Sequence, residues 1–144
     1  MTRYMKVLFI CTGNYYRSKF AEIYFNFLNK DKELTSYSRG LDISNPKNLG
    51  SISPYTVNYL KQLKVEIPVK INDPQLLEEN DLINSDVVIA VNRKEHYKVL
   101  ENKFPSFIWK IEFWDVGDLY EQTYENALHE LSCKIELLTK DFQQ

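Results

Sequence analysis

Apolar residues follow two alternating rhythms along this chain. Continuous runs stand at Val7-Leu8-Phe9-Ile10, within a strand expected over 5–10, and at Val87-Val88-Ile89-Ala90-Val91, within one expected over 86–91. Short runs rich in β-branched and aromatic residues read as strands buried on both faces. Weaker stretches at 34–38 and 107–113 complete a set of four strands. Between them the spacing changes to three or four. Phe20, Ala21, Tyr24, Phe25 and Leu28 predict a helix over 18–29. Val57, Leu60 and Leu63 line another, which Ser53 caps and Pro54 opens. Residues 92–103 form a third. Tyr124, Leu128, Leu131, Ile135 and Leu138 stripe a final helix over 121–141. Polar and ring residues separate these units. Asp31-Lys32 makes a turn, Arg39-Gly40 ends the second strand, and 41–53 is a loop. Asn72-Asp73-Pro74 breaks the chain before a short helix expected at 74–79.

Strands alternating with helices predict a parallel sheet with helices on both faces, a three-layer α/β domain. Ligands in such folds bind beyond the carboxyl ends of the strands. Two segments lie there: the loop starting at Cys11, and residues 114–120.

Composition narrows the classes. The 144 residues suit one domain, 1–144, and 44% apolar with 26% charged content is ordinary for a globular chain. A net charge of −2 speaks against nucleic-acid or membrane-surface binding. No apolar run approaches the roughly 20 residues of a membrane span. The run before Cys11 is too short for a signal peptide and reads as the first strand. Cys11 and Cys133, far apart, form no disulfide framework, so a reducing, cytoplasmic setting is expected.

The chemistry concentrates in Cys11-Thr12-Gly13-Asn14-Tyr15-Tyr16-Arg17-Ser18, between the first strand and first helix. A loop entering a helix N-terminus points several N–H groups at one spot, and the helix dipole adds positive potential. Gly13 and Asn14 tolerate the positive φ that wraps such a loop into an anion nest. Arg17 adds a fork matched to phosphate oxygens. The same field favours a thiolate at Cys11, and the Ser18 hydroxyl is placed to hydrogen-bond the sulfur.

This stretch resembles the phosphate-binding loop of the low-molecular-weight protein tyrosine phosphatases, and chain length and element order match as well. The thiol-dependent arsenate reductases share that fold and loop. The resemblance implies a four-stranded parallel sheet in the order 2-1-3-4. It implies Cys11 as nucleophile, Arg17 and loop residues 12–18 as phosphate ligands, and no metal or cofactor. It also implies a phosphotyrosine protein as substrate, with the chain monomeric or weakly dimeric. Several positions depart from the pattern. Tyr16 stands where many members carry a second, protective cysteine. Lys19 replaces a usual proline, and Tyr15 is bulkier than usual at its position, so phosphoarginine stays open as an alternative substrate.

Cleaving a phosphate ester with a thiolate requires a proton for the departing oxygen. Asp115 and Asp118 both lie beyond the fourth strand. In the resembled family the acid sits in an Asp-Pro-aromatic triplet here. Asp118-Leu119-Tyr120 is similar, with Leu119 in place of proline, so Asp118 is the expected acid. Tyr15 and Tyr120 are the expected pocket walls, flanking a planar ring. Asn45, Asn48 and Tyr55 could reach the rim. Cys133 has the phase of a small buried hydrophobe in the last helix, and His96 and His129 read as surface or helix-face residues. No cysteine lies between Cys11 and Cys133 to relay a disulfide, which leaves arsenate reduction only through an external thiol. A phosphocarrier, or a silent phosphotyrosine-binding module, would not need Asp118.

Overall fold

In the computed structural model, which describes residues 4–30 and 33–143, the continuous apolar run at the start of the chain is the centre of the sheet. Strand β1 (Met5–Cys11) pairs in parallel with β2 (Leu34–Gly40) on one side and β3 (Val87–Ala90) on the other. Beyond β3 lies β4 (Ile111–Phe113), so the four-stranded order is β2-β1-β3-β4, as expected. The turn expected at Asp31-Lys32 lies outside the described residues.

A strand with neighbours on both edges and helices on both faces has no solvated side, and Val7, Leu8, Phe9 and Ile10 are all fully buried. Their alternation sorts them into two cores. Val7, Phe9 and Cys11 face the layer of α1 (Arg17–Leu28), α2 (Pro54–Gln62) and α5 (Tyr124–Phe142), meeting Phe20, Phe25, Leu60, Leu128 and Leu131. Leu8 and Ile10 face the layer of α3 (Glu79–Asn84) and α4 (Arg93–Lys103), meeting Leu82 and Leu100. The odd-numbered face carries Cys11 to the mouth of α1.

Three expectations need correction. No helix forms at 74–79. There the chain runs as a strap along the carboxyl end of β2, with Gly40 N donating to Gln75 O and Leu77 N to Gly40 O, each at 2.8 Å. Those tertiary bonds and the burial of Leu77 outweigh the helix-opening signal of Pro74. The helix begins only at Glu79, where Glu78 N bonds the Asp81 carboxylate at 2.9 Å. The fourth strand is shorter than expected because Pro105–Lys110 winds as a 3₁₀ helix opened by proline, leaving three residues to pair at the edge. Cys133 is exposed, since the buried stripe of α5 runs through Leu128, Leu131, Ser132 and Ile135 and passes it by.

Candidate active site

The loop after β1 is held from outside by its carbonyl groups. Leu41 N donates to Cys11 O at 3.1 Å and Asp42 N to Thr12 O at 2.9 Å. Ser53 N donates to Tyr15 O and Thr56 Oγ1 to Tyr16 O, both at 2.9 Å. A trans peptide points its N–H opposite its C=O. The N–H groups of Thr12, Gly13, Tyr16 and Arg17 therefore turn inward, which is the geometry of an anion nest.

Asn14 makes the turn possible. Its φ is 50°, in the left-handed region, and its side chain is fully buried. Oδ1 accepts from Gln75 N at 2.8 Å, while Nδ2 donates to Ser18 Oγ at 3.0 Å and Ser38 Oγ at 2.9 Å. The strap thus pins the loop from behind. Gly40 is needed for that closeness, because a Cβ there would lie 2.7 Å from Thr12 O. Ser18 Oγ already accepts from Asn14, so its hydrogen is free for Cys11 Sγ, 2.9 Å away.

Arg17 is 2% exposed, with both terminal nitrogens engaged. Nη1 and Nη2 each donate to Glu95 at 2.9 Å, a bidentate clamp, and Nη1 also reaches Val116 O at 2.9 Å. Burial disfavours its charge, but the Glu95 hydrogen bonds and the Cys11 sulfur raise its pKa above the ordinary arginine value. Arg17 Nε is buried without a partner among the described residues. Asp118 Oδ2 lies 3.5 Å from Nη2.

Glu95 was not legible as a site residue. It occupies the first turn of α4, where an acidic residue reads as a helix-dipole partner. Its Oε1 also accepts from the Thr12 hydroxyl, which in turn accepts from His96 Nε2 at 3.0 Å. His96 is 1% exposed, buried under the loop rather than on the surface, because Asn92 caps α4 and turns its first face toward β1. Burial works against the charge of Glu95, yet hydrogen bonds from His96 and Arg17 hold its carboxyl well below the ordinary value of 4.5. A carboxyl depressed on folding stabilises the native state above its unfolded pKa and loses that contribution as pH falls. The parent should therefore lose thermal stability steeply as pH drops below 4.5. Glu95→Gln, already destabilised at pH 7 by its unpaired buried guanidinium, should show a flatter dependence. Melting curves at stepped pH test this, and parallel curves would be the contrary result.

The loop floors a cavity of about 650 Å³. Cys11, Thr12, Gly13, Tyr15, Tyr16 and Arg17 lie at its base, while Asp118, Leu119 and Tyr120 form one wall. Asn45, Asn48, Leu49 and Tyr55 close the opposite rim. Tyr15 is pinned there by its hydroxyl, which donates to Leu49 O at 2.7 Å. Asn14 and Ser18 do not line the cavity; Asn14 shapes the loop and Ser18 touches the sulfur. The Tyr16 ring is buried, packed 6.5 Å from that of Tyr55. The two aspartates separate cleanly. Asp118 faces the cavity, while Asp115 is exposed, bridged by its backbone to Asn92, and does not line it. Among the described residues no cluster of His, Cys, Asp and Glu could hold a metal ion, and no helix is long and apolar enough to cross a membrane.

Comparison with known proteins gives consistent results. The family model for low molecular weight phosphotyrosine protein phosphatases matches residues 6–144. No curated protein sequence matches the chain. Among solved structures, the low molecular weight protein tyrosine phosphatase from T. tengcongensis is 29% identical, with a TM-score of 0.79 over 95% of this chain and 99% of that one. YfkJ from Bacillus subtilis superposes with a TM-score of 0.83 at 22% identity, covering 97% of this chain and 95% of that one. The YwlE arginine phosphatase from Geobacillus stearothermophilus gives 0.78 at 22% identity, covering 96% and 93%. At that identity the last two speak for the fold alone. With the nest, the cavity and a family match spanning nearly its whole length, the chain belongs to the low molecular weight phosphotyrosine protein phosphatase family.

Proposed function

We propose that the protein is a cysteine-dependent phosphatase that hydrolyses phosphotyrosine in proteins through a phosphocysteine intermediate. The observation that carries this reading is the convergence of Cys11, Arg17 and Asp118 on one cavity at the N-terminus of α1. The Cys11 thiolate attacks phosphorus in line. Inward N–H groups and the free Nε of Arg17 hold the non-bridging oxygens, where charge builds up. As the P–O bond breaks, Asp118 transfers a proton to the departing oxygen. The resulting carboxylate then takes a proton from the water that attacks the phosphocysteine, and inorganic phosphate and the thiolate are released. The Ser18 hydrogen bond stabilises sulfur as attacker and as leaving group. No step calls for a metal.

Tyr15 and Tyr120, both on the cavity, favour a planar ring between them. The shorter phosphoseryl stem would leave phosphorus short of the sulfur, and a misplacement of about 1 Å costs about 100-fold in rate. Phosphotyrosyl peptides should therefore exceed phosphoseryl ones in kcat/KM by about that factor, in the presence of EDTA. Equal values would sink the assignment. One observation favours a second reading: Asp42 lines the cavity and would suit the guanidinium of phosphoarginine. A phosphoarginyl peptide turned over faster than the phosphotyrosyl one would move the protein to that substrate. Arsenate-dependent consumption of an external thiol, with no phosphoester turnover, would move it to arsenate reduction. All the proposed groups come from one chain, so a monomer suffices, and the free thiol of Cys11 suits the cytoplasm.

A further inference from the structure

The electrostatics of the nest leave a deficit. Arg17, its evident cation, is clamped by Glu95 with two bonds of 2.9 Å and has Asp118 at 3.5 Å. An anion entering beside a thiolate therefore meets an arginine whose charge is already offset. Lys47 also lines the cavity but is solvent-exposed, so its charge is screened; the buried cation beside the loop is Lys19, in the first turn of α1. Its side chain is 2% exposed and does not line the cavity, and the residue directly follows Ser18, whose hydroxyl lies 2.9 Å from Cys11 Sγ. Its Nζ donates to Asn72 O at 2.6 Å, on the strap that also holds Asn14 through Gln75 N. Among the described residues it forms no ion pair. A lysine buried on a neutral carbonyl retains a field that a paired one would lose, and low-dielectric surroundings extend it.

We propose that Lys19 is a positioning residue of the site: its buried ammonium supplies the positive potential that Glu95 offsets at Arg17, and so promotes both the reactivity of Cys11 and the binding of a tetrahedral oxyanion. This rests on the phosphatase reading for its purpose but not for its physics. The charged groups facing Lys19 are Glu22 on α1, Cys11 at the end of β1, Arg39 on β2 and Asp73 on the strap. Burial lowers its pKa from the ordinary 10.5, while Glu22 and a Cys11 thiolate oppose that shift.

The test is alkylation of Cys11 by iodoacetate between pH 5 and 9 in a Cys133→Ser background, with inhibition by vanadate measured alongside. Lys19→Met keeps the length of the side chain and removes the charge. It should slow alkylation near neutral pH by about threefold to tenfold, shift the profile to higher pH, and weaken vanadate by a similar factor. Lys19→Arg should restore both. Glu22→Gln, which keeps the acceptor for Ser38 Oγ at 2.5 Å, should move both readouts the opposite way and reports even if Lys19→Met fails to fold. Profiles superimposable on the parent's in Glu22→Gln and in a folded Lys19→Met would overturn the assignment. A parent that hydrolyses no phosphoester, but whose variants show these shifts, supports the role of Lys19 and removes only the hydrolytic reading.

Discussion

Cys11→Ser should abolish turnover of p-nitrophenyl phosphate, by at least about four orders of magnitude, while leaving the fold and oxyanion binding in place. The sulfur occupies the floor of the cavity, and the helix N-terminus, inward amides and Ser18 hydroxyl all act on it. A serine hydroxyl keeps almost the same volume, but it is a weak nucleophile without a strong adjacent base. Thr12, bonded to Glu95 and His96, has no free base to lend. Removing a nucleophile removes the reaction path rather than one contribution to it, which is why the expected loss is so large. The nest and Arg17 are untouched, so inorganic phosphate should still raise the melting temperature in proportion to its occupancy. Steady-state assays on both proteins, with calorimetry in phosphate, check the pair of outcomes. A Cys11→Ser variant retaining even a hundredth of the parent rate would mean that another group attacks phosphorus.

Asp118→Ala should cost about 100-fold to 10,000-fold in kcat, and Asp115→Ala almost nothing. The contrast follows from position. Asp118 Oδ2 points at Arg17, and Oδ1 is fixed by Leu119 N at 2.8 Å. The turn is tied further where Glu121 N and Gln122 N donate to Asp118 O at 2.9 and 3.1 Å. Asp115 shares the loop but not the cavity. The loss should also depend on the leaving group. Nitrophenolate departs with little help, whereas the phenolate of tyrosine, with a conjugate acid near pKa ~10, requires the proton. Asp118→Ala should therefore be far more damaging on phosphotyrosine than on p-nitrophenyl phosphate, and the pH limb set by the proton donor should flatten. Equal losses on the two substrates would assign the residue to binding instead.

Strong local signals carried the sequence reading a long way. The first three strands, the cap at Ser53 and the stripe of α5 depend on residues close in sequence, and they read correctly. So did the loop at Cys11, because strand, nest and helix follow one another within a single stretch. Where local signals were weak or mixed, tertiary bonds decided. Pro74 opens helices, but residues 75 and 77 instead bond Gly40, and the segment became the strap behind the loop. Phe107 and Ile108 have strand composition, yet Pro105 starts a 3₁₀ turn at the sheet edge.

The sequence by itself determined the loop that places Cys11 between a strand and a helix N-terminus, and the order of strands and helices, since these rest on contiguous residues and on alternating hydrophobic periods. Only the tertiary structure decided which aspartate faces the cavity, that Glu95 and His96 support Arg17 and Thr12, and that Lys19 is buried on the Asn72 carbonyl. Those relations join side chains from distant segments, and their charge and hydrogen-bond geometry exist only once the sheet has brought its carboxyl ends together.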